Sequence, residues 1–475
     1  MKVETFQLER WMSTWEMKVE FDIAESGIYP LTTNELLAFL PEDQQADTRD
    51  HLLNLRLGYT EARGTEALRT IIAETYRDSS PDDILVTTGA IEANYLLFNT
   101  LLEPGDHIVT IYPAYQQLYA VAKAIGCDVS LWELTPENGF RYDLDALEAL
   151  VRPNTKLVVA NTPHNPTGAM LSDADLRRIY ALAESVGAWL LVDEAYRWLD
   201  LPGGDPMAQP ARDLGLHGIS VGTMSKPFGL PGLRIGWIAA PADVVAQCWA
   251  TRDYISLSPG KLNDYLAQVA LNVRDKIVAR NWEIMRANLA AADAWFEEHA
   301  DLASWTRPRG GLLALMKYDF AVPSREVSDV LASDFSVMLA PGSAFGYEGY
   351  LRIGVGQRPD IFAEGLRRAR ENKGRGDLAA ASKRYAATPC TGAGSGAAST
   401  ALRNPAGLLT NDAGFSRAMA LKSTMPPSAS TATTCGREAV FAKSLIASSG
   451  LILREEQSRI TKSGFISSML PRCRG

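Results

Sequence analysis

Residues 156–196 read KLVVANTPHNPTGAMLSDADLRRIYALAESVGAWLLVDEAY, and the order of materials in this stretch decides the fold. Lys156–Ala160 and Trp189–Val192 are short runs of largely branched or aromatic side chains bounded by turn residues, the mark of buried strands. Between them Asp173–Ser185 carries a helical pattern. Outward in both directions the alternation continues: Ile84–Thr87, His107–Ile111, Ile219–Gly222 and Gly236–Ala239 read as further strands, and Glu92–Leu102, Tyr115–Ala124 and Pro241–Trp249 as helices. Strand and helix in alternation predict an α/β fold with a doubly wound, mostly parallel sheet.

Beyond this region Ile277, Ile284, Met285, Leu289, Trp295 and Phe296 recur at the spacing of one buried stripe, predicting a long helix over Arg274–His299. Strand-like pieces at Leu312–Lys317, Val337–Ala340 and Leu351–Val355 surround a helical segment, and residues 360–371 form a last amphipathic helix. The expected organisation is an N-terminal arm (1–43) that folds back onto a small α+β domain (283–373), a large domain (44–282) and a tail (374–475).

The 475 residues are 46% hydrophobic and 22% charged, the proportions of an ordinary folded protein with room for two or three domains. The net charge of −9 is unevenly spread. Residues 374–475 hold 13 Lys or Arg against 5 Asp or Glu, leaving 34 against 51 in the body. An acidic body repels phosphate backbones and argues against nucleic-acid binding. All ten tryptophans precede residue 306, and the basic, low-complexity tail is rich in Ala, Ser, Thr and Gly. Disorder is the plain reading of that composition, and an aberrant gene model with a changed reading frame is the sharper one. Five cysteines without a C-x-x-C pair fit a reducing, cytoplasmic setting. The N-terminus has no apolar stretch resembling a signal peptide, and no run approaches the ~18 to 20 apolar residues that span a bilayer.

Four polar clusters follow predicted strands, which places them at the carboxyl edge of the sheet where ligands collect. Thr87-Thr88-Gly89-Ala90-Ile91-Glu92-Ala93 turns from strand to helix, so its backbone N–H groups suit a phosphate. Asn161-Thr162-Pro163-His164-Asn165-Pro166-Thr167-Gly168 presents Asn165 from a proline-stiffened loop. Asp193-Glu194-Ala195-Tyr196 ends a buried strand with a carboxylate, which needs a positive partner or strong hydrogen bonds. Thr223-Met224-Ser225-Lys226-Pro227-Phe228-Gly229-Leu230-Pro231-Gly232-Leu233-Arg234 holds a lysine between hydroxyls and a Gly/Pro turn, with an arginine eight residues on, the pieces of a Schiff base beside a phosphate. Taken singly, each also reads as ordinary structure: a turn, an Asn loop, a helix N-cap, a solvated lysine.

In this order NTPHNPTG, VDEAY, TMSKPFGLPGLRIGW and the late LRIGVG resemble the pyridoxal-phosphate-dependent fold-type-I enzymes, specifically class I/II aminotransferases, over about residues 20–373. The resemblance implies pyridoxal 5′-phosphate as cofactor and a large cofactor-binding domain. It implies a catalytic set of Lys226, which forms a Schiff base with the cofactor, Asp193, which pairs with the ring nitrogen, and Tyr196. Asn165 and Tyr196 would hydrogen-bond the ring hydroxyl, Tyr115 would stack on the ring, and Gly89, Ala90, Thr223, Ser225 and Arg234 would hold the phosphate. Arg352 would clamp the substrate carboxylate, with Asn165, Ser26 and Gly27 also on the substrate side. Tyr59 resembles the tyrosine that reaches the neighbouring subunit's phosphate, implying a homodimer with shared sites.

Departures from the family pattern bear on substrate. Thr223 stands where serine or glycine is usual, Ile91 where many relatives have Ser or Thr, and Ile23-Ala24-Glu25-Ser26-Gly27-Ile28 replaces a glycine-rich segment. That segment is nearer a capreomycidine-synthase-like branch, which uses the cofactor to eliminate and cyclise an arginine derivative. The expected activity is amino transfer between an amino acid and a 2-oxo acid, with elimination, cyclisation or β-lysis as the alternative. A cofactor-binding regulatory domain is disfavoured, since about 20 residues precede the resemblance and the tail shows no recognition-helix pattern. No histidine pair at metal spacing and no P-loop occurs, so no metal is expected.

Overall fold

The computed structural model describes residues 2–201 and 203–370; the expected tail over 374–475 lies outside the described residues. The chain opens with α1 (Gln7–Trp15), β1 (Phe21–Asp22), α2 (Thr33–Ala38), α3 (Glu42–Asn54) and α4 (Glu66–Ala73). The alternating region supplies β2 (Ile84–Thr87), α5 (Ala90–Leu101), β3 (His107–Tyr112), α6 (Gln117–Ile125), β4 (Asp128–Glu133), α7 (Leu144–Leu150), β5 (Thr155–Asn161), α8 (Asp173–Ser185), β6 (Trp189–Asp193), β7 (Gly218–Thr223) and β8 (Gly236–Ala239). Helices α9 (Ala242–Arg252), α10 (Lys261–Asn272) and α11 (Arg274–Glu298) lead to β9 (Ala303–Trp305), β10 (Leu313–Tyr318), α12 (Ser324–Phe335), β11 (Val337–Met338), β12 (Ala340–Pro341), β13 (Tyr350–Gly354) and α13 (Pro359–Arg370). No helix among the described residues is long and apolar enough to cross a membrane.

Strands β2 to β8 form one sheet in the order β2-β8-β7-β6-β5-β3-β4. Parallel pairing joins β3 to β4 and β5, β5 to β6, and β6 to β7, whereas β8 runs against both β7 and β2. Strands covered by helices on both faces must be apolar on both, which is why the inner strands read as unbroken hydrophobic runs. Every residue of the inner strands β7 and β8 is buried, as is every residue of β2 at one edge. The same rule explains an omission. Strand β4, Asp128-Val129-Ser130-Leu131-Trp132-Glu133, is an edge strand on which Trp132 alone is buried, so it has no apolar run to announce it.

The reversed direction of β8 positions a functional side chain. Gly236 lies opposite both Thr223 and Thr87, so the chain enters β8 at the edge where its neighbours leave the sheet. Arg234, two residues earlier, is thereby carried to the carboxyl edge. Only glycine fits at 236, because a Cβ there would stand 2.4 Å from the Gly89 carbonyl carbon and 2.5 Å from the Ala90 nitrogen.

A second, antiparallel sheet has the order β12-β13-β10-β9, and β1 pairs in parallel with β11. The expected single strand Val337–Ala340 is two. The backbone changes partner at Leu339: Val337 and Met338 pair with Phe21 and Asp22, while Ala340 and Pro341 pair with Arg352 and Leu351. Pro341 is tolerated because β12 is an edge strand, where its missing N–H interrupts no ladder. Helix α11 serves two cores. Its Ile277 packs in a cluster with Ile84, Val86 and Trp237, and its Met285, Leu289, Ala292 and Phe296 pack with Leu313, Met316, Ile353 and Phe362. Each large side chain so buried contributes about 1.5–3 kcal/mol.

Candidate active site

Five strand ends converge on one cavity of about 340 Å³. After β2, Gly89 adopts φ +80° and opens α5 with no side-chain cap, leaving the first N–H groups of a 12-residue helix turned toward the cavity for an anion. The Arg234 guanidinium lies over this turn, so a Cβ at Gly89 would meet Arg234 Nη2 at 2.8 Å. Arg234 itself is held at φ +51°, a left-handed conformation that costs a non-glycine residue about 1–2 kcal/mol. Thr223 Oγ1, at the end of β7, accepts from the Ser225 N–H at 3.1 Å and lies 3.1 Å from both Ser225 Oγ and the Ile235 carbonyl. Helix α6 begins two residues later than expected, which leaves Tyr115 in the loop after β3. Its hydroxyl donates to Glu9 Oε1 at 2.9 Å, and burial, reinforced by Glu9, holds the phenol well above its ordinary pKa.

At the centre, Asp193 ends β6 and is 6% exposed. Its Oδ2 accepts from Asn94 Nδ2 at 2.9 Å and its Oδ1 from the Ala195 N–H at 3.0 Å. Among the described residues no basic side chain pairs with it, and burial raises its pKa. Tyr196 is buried nearby, its pKa raised by that burial and lowered in part by Lys226, Arg352 and a hydrogen bond with Ser26. Asn161 organises the loop after β5: its Nδ2 donates to the Asp193 carbonyl at 2.7 Å and its Oδ1 accepts from the Asn165 N–H at 2.8 Å.

Arg352, on β13, is 2% exposed. It donates to Asn165 Oδ1 at 3.2 Å and to the Ala24 carbonyl at 2.8 Å, and its guanidinium lies 5.2 Å from the centre of the Phe345 ring. Its Nε has no partner, and burial holds its pKa below the usual arginine value. A buried guanidinium with an unused donor is a receptor for a carboxylate. Lys226 Nζ stands 2.7 Å from Ser26 Oγ and 3.4 Å from Glu25 Oε1.

The residues singled out from the sequence line this cavity with three exceptions. Gly89 lies beneath Arg234. Gly27 backs Lys226, with its missing Cβ position 3.8 Å from Lys226 Cδ. Tyr59 is 88% exposed and does not line this chain's cavity. Asn94 is not marked as a site residue by the sequence because it sits in a helical pattern where a polar residue reads as solvated; its signal is its place among the mostly apolar buried residues of α5. Also left out was the wall supplied by α1, which contributes Leu8, Glu9 and Met12. Glu25 was noted only as part of an unusual segment, and nothing local places it beside Lys226.

These donors fit pyridoxal 5′-phosphate. A phosphate dianion suits the start of α5 with Arg234 over it. A protonated ring nitrogen is the cation that the buried Asp193 carboxylate lacks, and an aldehyde matches the Lys226 amine.

The family model described as aminotransferase class I and II matches residues 26–365. Capreomycidine synthase of Streptomyces vinaceus is 34% identical over 357 residues, 74% of this chain and 90% of that protein. Among solved structures, a PLP-dependent aminotransferase from Streptococcus suis is similar with a TM-score of 0.74 at 34% identity, over 78% of this chain and 98% of that one. The PLP-dependent cyclase OrfR is similar with a TM-score of 0.71 at 32% identity, over 78% and 97%.

Proposed function

The chain belongs to the class I and II aminotransferase family, and from that premise we propose that it transfers an amino group between an amino acid and a 2-oxo acid, with Lys226 as the covalent anchor of its pyridoxal 5′-phosphate. When bound, the cofactor supplies an aldehyde for the amine and an electron sink for the charge left at the substrate Cα. The observation that carries the reading is one cavity holding a lysine amine, a buried carboxylate without a cation and a buried guanidinium with an unused donor.

In this reading the chain's residues divide the work. The start of α5, Thr223, Ser225 and Arg234 bind the phosphate; Asp193 keeps a proton on the ring nitrogen; Asn165 and Tyr196 orient the ring hydroxyl. Arg352 binds the substrate carboxylate, which sets Cα toward Lys226. The Lys226 amine would take the Cα proton at Nζ and return it to the cofactor's aldehyde carbon. Helix α1 and Tyr115 cover the ring side and limit water. A homodimer belongs to the proposal: Tyr59, Leu57 and Tyr254 are 88%, 78% and 93% exposed, and their two loops adjoin through an Arg252 hydrogen bond to the Ala62 carbonyl. Sedimentation at twice the chain mass is the expected result, and a monomer at micromolar concentration would contradict it.

A second reading, elimination or cyclisation, is favoured by the likeness to capreomycidine synthase and to the cyclase OrfR. The two part on where the nitrogen ends. Given one amino acid and no 2-oxo acid, a transaminase converts stoichiometrically to the pyridoxamine form and stops, and a 2-oxo acid reverses the change. Repeated turnover without an acceptor would sink the transaminase reading. In the same assay Arg352→Lys should raise the half-saturating donor concentration roughly 10- to 100-fold, because an ammonium cannot reproduce the forked pair. Unchanged saturation would show that another group holds the carboxylate.

A further inference from the structure

Lys226 has an acidic neighbour that comes from outside the large sheet. Glu25 comes from the N-terminal arm, three residues beyond the end of β1, and its half-buried carboxylate lies 3.4 Å from Lys226 Nζ. Several contacts fix it there. Asp22 Oδ1 accepts from the Ala24 N–H at 2.9 Å and the Glu25 N–H at 3.0 Å, which closes a turn. The Ala24 carbonyl accepts from Arg352, and the Ile23 carbonyl from the Gly354 N–H at 2.8 Å. Glu25 thus reaches the cavity from a turn pinned to β13, between the lysine and the arginine.

We propose that Glu25 is a positioning residue whose carboxylate stabilises a proton on Lys226 Nζ, both while that nitrogen is bonded to the cofactor and after the freed amine has taken the proton from the substrate Cα, with Ser26 Oγ fixing the nitrogen's place. The inference rests on the reading that Lys226 carries the cofactor. The groups facing Nζ come from three elements: Glu25 from the arm, Tyr196 after β6 and Arg352 on β13; Asp22 faces Glu25, and Asp193 acts on Tyr196. Burial alone would drive the proton off the amine, but Glu25, then Tyr196, outweigh it and hold the lysine above its ordinary pKa. Burial would likewise raise Glu25, yet Lys226 and Arg352 outweigh it and hold the carboxylate below its ordinary value. The pair is therefore ionised. During proton transfer the Cα–H bond breaks and an N–H bond forms at Lys226, while Glu25 stays a carboxylate throughout; it sets how firmly the nitrogen keeps what it has taken.

The test is a visible-absorbance titration of the holoenzyme from pH 5 to 10 for the parent, Glu25→Gln and Glu25→Asp. Removing a negative charge beside a cation lowers the nitrogen's affinity for its proton, so the midpoint in Glu25→Gln should fall by one pH unit or more, a tenfold or greater loss. Glu25→Asp, which keeps the charge, should recover part of the shift and serves as the working comparison where the glutamine variant does not fold. Borohydride reduction and peptide mapping of the same samples locate the pyridoxyl label. A label on Lys226 with an unmoved midpoint in Glu25→Gln overturns this inference and leaves the cofactor reading standing. A label on another lysine overturns that reading, and the inference with it.

Discussion

Lys226→Ala is expected to lose turnover by roughly 10⁴-fold or more while keeping the cofactor in the cavity. The loss follows from two roles meeting in one atom. Nζ is both the covalent anchor and the base that faces the substrate Cα, and neither Ser26 nor Tyr196 offers an amine in its place. Retention follows from what stays behind: the α5 start with Arg234 for the phosphate and the Asp193 carboxylate for the ring nitrogen. The vacated Glu25 has a side chain 39% exposed, so water can solvate its charge and the fold should tolerate the change. Dialysis followed by absorbance would show the cofactor held without the covalent link, and single-turnover assays would measure the lost chemistry. Turnover within about tenfold of the parent would remove Lys226 from the centre of the reaction.

The parts of this site legible in the sequence were those fixed by the end of a strand. Where β5, β6 and β7 stop, a continuous apolar run gives way to polar residues, and the carboxyl-edge rule says where those must gather. Asp193 closes β6, and Asn165 and Lys226 lie in the loops that follow β5 and β7. Long-range pairing left no such mark. The reversed direction of β8, which delivers Arg234, depends on ladders with two strands distant in the chain. Glu25 owes its place to a two-residue pairing with Val337 and Met338 and to a turn held by Asp22, in a segment whose composition resembles any polar loop. Strand β4 was hidden because its exposed edge position needs no apolar run, and the break at Leu339 because two-residue strands leave no pattern to read. Asn94 shows a different obstacle: a buried polar residue on a helix is visible only once its partner, here Asp193, is known.

That partnership makes Asp193→Asn the variant with opposite effects on stability and function. In the protein without cofactor, Asp193 is a buried carboxylate with hydrogen bonds but no cation, and burial raises its pKa. A carboxyl whose folded pKa lies above its unfolded value favours folding at low pH, and that contribution is lost as pH rises through the folded value. Asparagine removes the penalty. Its Oδ1 can accept from the Ala195 N–H, and, once the Asn94 amide turns over to present Oδ1 in place of Nδ2, its amide can donate to Asn94 Oδ1, which has no partner in the parent chain. The cofactor-free variant should therefore melt higher than the parent, by a margin that grows as pH rises from the ordinary carboxylate range through the folded value. With cofactor the sign reverses. A neutral amide cannot keep the proton on the ring nitrogen, and removing one member of a buried charge pair costs about 3–5 kcal/mol, so turnover should fall roughly 10²- to 10³-fold. Melting curves of both forms across that pH range, set beside turnover, read the two effects separately. A variant that is less stable than the parent without cofactor, or as active with it, would show that Asp193 serves the fold rather than the ring.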